Sequence, residues 1–487
     1  MNQRFDVAII GSGFSGSILA RILASRGRRV ALLDAARHPR FAIGESSTPI
    51  ADLLLRRLGQ QYGLTDLENL SAYGRWRQTL PELACGMKRG FSYFDHRDWN
   101  LESRVGQRSL IVAASPTDCD SDTHWYRSDV DAYLFQTAME AGVDAREGVA
   151  VTSLDLSDSA RARIGLASGD PITAGFVIDA SGAATVSARL PGATSMTDRL
   201  ATKTCAAFAH FRGVASYSDV FNSLHGDHRA SEPFDADAAA QHHLIDDGWA
   251  WMLRMNNGIT SVGVVSPLRR DASTHHETLR RATRVLNDRF SGDATIHQVF
   301  RDSLRVAPVS KIATIGRVQR LHNPVITPHC LMTPTTAATI DPLHSTGIAH
   351  ALAGVMRLAD ILLANDPRER IERYRASILA EAFHIDRLIA MAYRSMHSFP
   401  RFTASCMVYF AAAIACEERI GRGEMPDRLW QADDQAFVAA VEQSAEVIES
   451  DADDARVVDQ LRNLIAPWNT ARLFEGDGNR YAYTATK

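Results

Sequence analysis

The sequence predicts an α/β protein in three parts: a parallel sheet wound with helices, a second mixed sheet threaded through it, and a C-terminal lobe of helices. Three observations carry this. The apolar run Phe5 to Ile10 reads as a buried parallel strand, runs into Gly11-Ser12-Gly13-Phe14-Ser15-Gly16, and is followed by a helical pattern with Phe14, Ile18, Leu19, Ile22 and Leu23 on one side. The runs Arg89 to Asp95, Ser109 to Ser115 and Gly248 to Leu253 read as strands of another sheet, while Phe176-Val177-Ile178-Asp179 returns the chain to the first. From Asp366 to about Leu464 the pattern is helical, with a polar tail after Trp468.

The glycine turn has a chemistry of its own. Gly11 permits a tight turn, Gly13 lets the backbone approach a pyrophosphate, and Gly16 lets helix and strand pack closely, while the helix start offers free N–H groups to phosphate. A second strand, Arg29 to Leu33, delivers Asp34 at the distance where a ribose hydroxyl would be gripped. Strand, turn, helix and acid together predict a bound dinucleotide.

The bulk numbers narrow the partners. A chain of 487 residues with a net charge of −4 and intermingled signs gives no electrostatic reason to expect nucleic acid or an anionic membrane. The six cysteines are scattered, with no CxxC pair and no signal peptide ahead of the first strand, so reduced thiols in a cytoplasmic protein are expected. Cys406 to Cys416 is too short to cross a bilayer and reads as a buried helix. His225, His228, His242 and His243 lie in a stretch, Val214 to Asp247, that reads as a long loop with a helical piece. Their spacing matches no common metal site, and no metal is expected.

Five further stretches are candidates for chemistry. Gly44-Glu45-Ser46-Ser47-Thr48-Pro49 starts a helix, with Ser47 or Thr48 as N-cap. Lys88, in Gly86-Met87-Lys88-Arg89-Gly90-Phe91, would by itself be a solvated strand-end charge. Trp249 and Trp251 share one face of a strand, and small residues from Ala180 to Gly182 let a ligand or backbone come close. Asp341-Pro342-Leu343-His344-Ser345-Thr346-Gly347-Ile348 opens a helix whose first amides could cradle an anion.

These motifs, together and in this order, resemble those of the flavin-dependent halogenases, closest to the pyrrole and phenol branch, over residues 1 to about 365. The resemblance implies an FAD-binding Rossmann-like domain of the glutathione-reductase and aromatic-hydroxylase type, in residues 1–75, 116–195 and 300–365. A substrate-side sheet would occupy 76–115 and 196–299, and the helical lobe 366–487. Carried over, Gly11, Ser12, Gly13, Phe14, Ser15, Gly16 and Asp34 would hold the ADP part of FAD, and Glu45, Ser47 and Thr48 would strap the flavin. Arg127, Val151, Gly182, Asp341, Pro342, Gly347 and Ile348 would also line the cofactor. Ser345, Thr346 and Gly347 would hold chloride or bromide, Trp249 and Trp251 would face the substrate, and Lys88 would be catalytic. The implied reaction oxidises halide with reduced FAD and dioxygen, sends hypohalous acid to Lys88, and halogenates an electron-rich aromatic or heteroaromatic ring, free or tethered to a carrier protein. Only one dinucleotide fingerprint is visible, which argues for a separate flavin reductase.

Three positions depart from the family pattern. Leu253-Arg254 replaces Ile-Pro after the second tryptophan, which puts a guanidinium where the wall between flavin and substrate is expected. His344 stands where tryptophan halogenases have a glutamate, and could serve as a base near neutral pH. Met332-Thr333-Pro334 replaces a Gly-Asp pair that would meet the ribityl chain. A flavin monooxygenase or oxidase on the same scaffold, and a flavin-binding protein without turnover, remain alternatives at this point.

Overall fold

Apolar runs ending in small or acidic residues form the first sheet of the computed structural model, which describes residues 3–97, 108–158, 160–226, 232–268, 274–290 and 293–482. Arg4–Ile10 is central, parallel to Val30–Asp34 on one side and to Ile172–Asp179 on the other. Asp144–Glu147 and Cys330–Met332 extend the parallel ladder at the two ends. The carboxyl ends of these strands deliver Gly11, Asp34 and Asp179 to one edge, where α/β sheets bind ligands. Helix Phe14–Ser25 buries Ile18, Leu19, Ile22 and Leu23 against the sheet, as the sequence pattern requires.

The second sheet is mixed and nine-stranded. Gly90–Asp95 pairs antiparallel with Ser109–Ala113 and parallel with Ala239–Ile245, after which Gly248–Arg254, Thr260–Pro267 and Thr204–Arg212 follow as antiparallel neighbours. A separate two-stranded ribbon, Cys85–Lys88 against Asp122–Trp125, carries Lys88 opposite Asp122.

Two expectations are corrected, and the late buried helix and the tail are extended. Leu304–Val306 and Ala313–Ile315 pair with Thr204–Arg212, so this piece of 300–365 belongs to the second sheet rather than the first. Val214 to Asp247 has the expected helical piece, Tyr217–His225, but the rest is not all loop: the strand Ala239–Ile245 carries His242 and His243, while His228 lies outside the described residues. The late apolar helix is Phe399–Gly421, long and apolar enough to cross a membrane, but 89% of its most apolar window is buried inside the fold. The tail returns as Arg480–Tyr481, pairing parallel with Ser109–Ala113. Among the described residues no group of histidine, cysteine and carboxylate side chains is arranged to hold a metal.

The helical lobe shares its core with the rest. Leu19 of the first helix, Leu54, Trp249, Leu352 of helix Gly347–Leu363, and Phe402 and Met407 of Phe399–Gly421 belong to one continuous apolar cluster. Helix Arg368–Ser395 adds Ile378 and Leu388 to the same cluster.

Candidate active site

The glycine turn is shaped for a cofactor. Gly11 has φ of +107°, and a Cβ there would fall 2.4 Å from the Ala180 carbonyl oxygen; at Gly16 it would fall 2.1 Å from that of Gly11. Gly13 is different. It sits at the N-cap of Phe14–Ser25 with no side chain to occupy the first-turn amides, and the atoms nearest a Cβ there would be an Arg127 guanidinium nitrogen at 3.7 Å, an Asp131 carboxylate oxygen at 3.8 Å and an Arg40 guanidinium nitrogen at 3.9 Å. Ser12 donates from both N–H and hydroxyl to Asp34, at 2.9 and 2.7 Å, and Arg40 donates to the same oxygen at 3.0 Å. Burial alone would raise the Asp34 pKa, but Arg40 and these N–H and O–H donors outweigh it and hold the carboxyl below its ordinary 3.8. Nε of Arg40 and Nδ1 of His38 are buried without hydrogen-bond partners. The orphaned Arg40 N–H, free amides and two guanidinium groups around an open glycine fit the pyrophosphate and ribose of FAD.

The other cofactor candidates gather at the same edge. Arg127 forms a bidentate pair with Asp131, donates to the Ile43 and Gly44 carbonyls, and lies over Phe14 at 4.8 Å. Val151 begins a strand just after Val149, whose N–H donates to the Asp34 carbonyl. Gly182 N–H donates to Thr336 Oγ1 at 3.0 Å. Thr333 and Pro334, at the place of the expected Gly-Asp pair, are structural: Thr333 N–H donates to the Asp179 carbonyl, and Pro334 fills the space a Cβ on Gly354 would need.

Lys88 is fully buried, against the ordinary behaviour of a lysine at a strand end. Its Nζ donates to the Ser47 carbonyl at 2.5 Å and lies 4.0 Å over the Phe91 ring. The flanking glycines make this possible: a Cβ on Gly86 would fall 1.9 Å from the Arg254 carbonyl oxygen, and one on Gly90 2.0 Å from that of Val112. His124 and His242 feel the ammonium; burial first, and Lys88 in addition, drive both pKa values down to about 3.

The strap beside Lys88 is held through Glu45. Ser261 donates to its carboxylate at 2.6 Å, His210 Nε2 lies 3.2 Å from the other oxygen, and Trp251 Nε1 donates to Ser261 at 3.2 Å. Trp249 Nε1 instead donates to the Tyr393 hydroxyl, which donates to Asp341 at 2.9 Å. The two tryptophans, expected to face substrate, thus brace two carboxylates from behind. Arg254 turns away from the site to Asp237 and the Val214 carbonyl, so the guanidinium does not form the expected wall.

Asp341 accepts from Thr204, Tyr393 and Leu343 N–H; burial raises its pKa to about 6 against the pull of those bonds. Pro342–His344 is a single 3-10 turn, Ser345 adopts φ of +56°, and Thr346 is the N-cap of Gly347–Leu363, so Ser345, Thr346 and Gly347 present a helix start, with Ile348 buried behind it. His344 stacks on Tyr409 at 4.1 Å, with Nδ1 3.3 Å from the Tyr93 hydroxyl and Nε2 buried without a partner. Burial first, then His242, hold its pKa well below 6.5. The base near neutral pH expected at His344 is therefore a neutral ring of low basicity.

Sequence reading missed Arg40, His38, Asp131, Tyr93, Tyr393 and Tyr409. Arg40 had a signal, two residues after a histidine that follows Asp34; the tyrosines sit in ordinary apolar patterns and had none.

A nucleotide cradle at the carboxyl edge of a parallel sheet, with a fully buried lysine held by the Ser47 carbonyl of the neighbouring segment, is the arrangement of a flavin-type oxidoreductase. The tryptophan halogenase family matches residues 104–399, more than half of the chain, and the protein belongs to that family; it is a flavin-dependent halogenase. A NAD(P)-binding Rossmann-like domain family also matches residues 9–58. Monodechloroaminopyrrolnitrin halogenase PrnC of Pseudomonas fluorescens is 27% identical over 439 residues, 86% of this chain and 73% of that protein. Tetracycline 7-halogenase of Kitasatospora aureofaciens is 28% identical over 434 residues, 86% of this chain and 75% of that one. The crystal structure of halogenase PltM has the same fold, with a TM-score of 0.83 at 23% identity over 98% of this chain and 99% of that one.

Proposed function

We propose that the enzyme halogenates an electron-rich aromatic or heteroaromatic ring, free or carrier-tethered, with Lys88 delivering the halogen. The single observation that carries this is the fully buried Lys88 ammonium, fixed by the Ser47 carbonyl and the Phe91 face within the strap that borders the cofactor cradle. FAD, reduced by a separate reductase, supplies with dioxygen the oxidising power that turns chloride or bromide into hypohalous acid. The first sheet and its helices hold it: Gly13 with Arg40 and Arg127 at the pyrophosphate, Asp34 at the ribose.

Ser345, Thr346 and the amides at Gly347 hold the halide, since a helix start offers positive potential without a competing proton. The Lys88 ammonium donates a hydrogen bond to the hypohalous oxygen and orients the halogen toward the substrate ring. As the ring carbon bonds to halogen, the halogen–oxygen bond breaks, and the departing oxygen takes a proton from Lys88 to leave as water. Loss of the ring proton restores aromaticity and returns a proton to the lysine. Burial of the chamber keeps the oxidant from bulk water.

The test is turnover with FAD, a flavin reductase, NADH and dioxygen over phenols, pyrroles and indoles, with and without bromide. Brominated products that require bromide are expected. Oxygenated products formed equally without halide would make the protein a monooxygenase instead.

A further inference from the structure

A lysine taken out of water keeps its proton only beside negative charge, because desolvation disfavours the ammonium. That proton matters here, since the departing oxygen takes it from Lys88. We propose that Asp122 is the counter-ion that keeps Lys88 an ammonium, and that it serves the reaction as a positioning residue. The assignment rests on the halogenase reading above and adds to it what sustains the charge of the lysine.

Three observations meet at Asp122. It stands directly opposite Lys88 in the two-stranded ribbon, a pairing that brings facing side chains within about 5 Å of each other at Cβ. Lys88 and Asp122 are both fully buried, so bulk water does little to screen one from the other. The strap runs along the strand that carries Asp122: Ser47 N–H donates to the Thr123 carbonyl at 3.0 Å, and Trp125 N–H donates to the Glu45 carbonyl at 2.6 Å. The residue whose carbonyl takes the Lys88 hydrogen bond is therefore tethered next to Asp122 in the chain.

The other groups around the ammonium are neutral rings or carboxylates placed on helices. Burial above all holds His124, on the Asp122 strand, and His242, on Ala239–Ile245, at about 3. Burial likewise pushes the Tyr93 and Tyr409 phenols up, with Glu417 and Asp122 adding to the rise at Tyr409. Asp52, fully buried in the first turn of helix Pro49–Tyr62, accepts from the Ser47 hydroxyl at 2.8 Å. Glu417, buried on helix Phe399–Gly421, acts on Tyr409 from its own helix. Of these three carboxylates only Asp122 shares the ribbon with the lysine.

The experiment uses the FAD-loaded enzyme labelled with 13C at lysine Cε, as wild type, Asp122→Asn, Asp52→Asn and Glu417→Gln. The chain has four lysines, Lys88, Lys203, Lys311 and Lys487, so the Lys88 resonance is assigned by its loss in Lys88→Met. Its titration should move down by about one to three pH units in Asp122→Asn and by less in the other two variants. The alkaline limb of bromination should move down with it, which a merely structural loss would not produce. Urea unfolding gives a reading that does not need Asp122→Asn to fold alone: added to Lys88→Met, it should raise the midpoint, because it removes a carboxylate left without its cation. An unmoved Lys88 titration in Asp122→Asn, a larger shift in Asp52→Asn or Glu417→Gln, or a double variant less stable than Lys88→Met overturns the assignment. Absence of brominated product from wild type overturns the halogenase reading instead, while the lysine titration still reports on Asp122.

Discussion

Asp341 carries the most readily tested charge in the site. Its pKa is raised by burial to about 6 from 3.8, so the folded protein holds a proton that the unfolded chain has released over that window. Stability contributed by the protonated form is complete below about pH 4 and is lost as pH rises through 6. Asp341→Asn should therefore gain on wild type between pH 4 and 7 by up to ~3 kcal/mol, read from urea midpoints at the two pH values. An unchanged difference would place the charge elsewhere. Lys88 shows how far a residue can be read from sequence. A lysine between two glycines reads as a surface charge without the resemblance, because the Ser47 carbonyl that holds it, and the Arg254 and Val112 carbonyls that press on its flanking glycines, come from far away in the chain.

At the scale of elements, the glycines separate folding from binding. A Cβ at Gly13 meets nothing closer than 3.7 Å, whereas one at Gly16 or Gly86 would fall within 2.1 or 1.9 Å of a backbone oxygen. Gly13→Ala should unfold as wild type does in urea while FAD affinity, followed by flavin fluorescence, drops at least about tenfold, because the methyl takes pyrophosphate space. Gly86→Ala should lose about 2 kcal/mol or more, since the strand carrying Lys88 must move off Arg254. Equal stability losses at Gly13 and Gly86 would refute the distinction. The first sheet was legible because strand, turn, helix and acid are contiguous. The second was only half legible: Ala313–Ile315 joins Thr204–Arg212 across a hundred residues, and no local pattern announces that pairing. For the same reason Tyr393 and Tyr409, brought in by core helices, could not be told from ordinary core.

The whole molecule buries a set of neutral histidines on both faces of its second sheet. Burial holds His124 and His242 down to about 3, and His243 and His344 well below 6.5. Each adds stability that is complete above the unfolded pKa of 6.5 and is lost as pH falls, because the unfolded chain takes up protons the fold refuses. Urea midpoints should fall steadily from pH 7 to 5, and His242→Gln should flatten that slope. Lys88 is enclosed too, and the central proposal is that this lysine, held by the Ser47 carbonyl over the Phe91 ring, transfers the halogen. The most direct measurement is a single turnover of FAD-loaded, pre-reduced enzyme with dioxygen and bromide on a reactive phenol, comparing wild type with Lys88→Ala by mass spectrometry. Wild type should give bromine isotope doublets. Lys88→Ala should bind FAD and reoxidise it at a similar rate but give at least about a hundredfold less brominated product. Doublets of equal intensity from the variant would contradict the account, since the halogen would then reach the ring without the lysine.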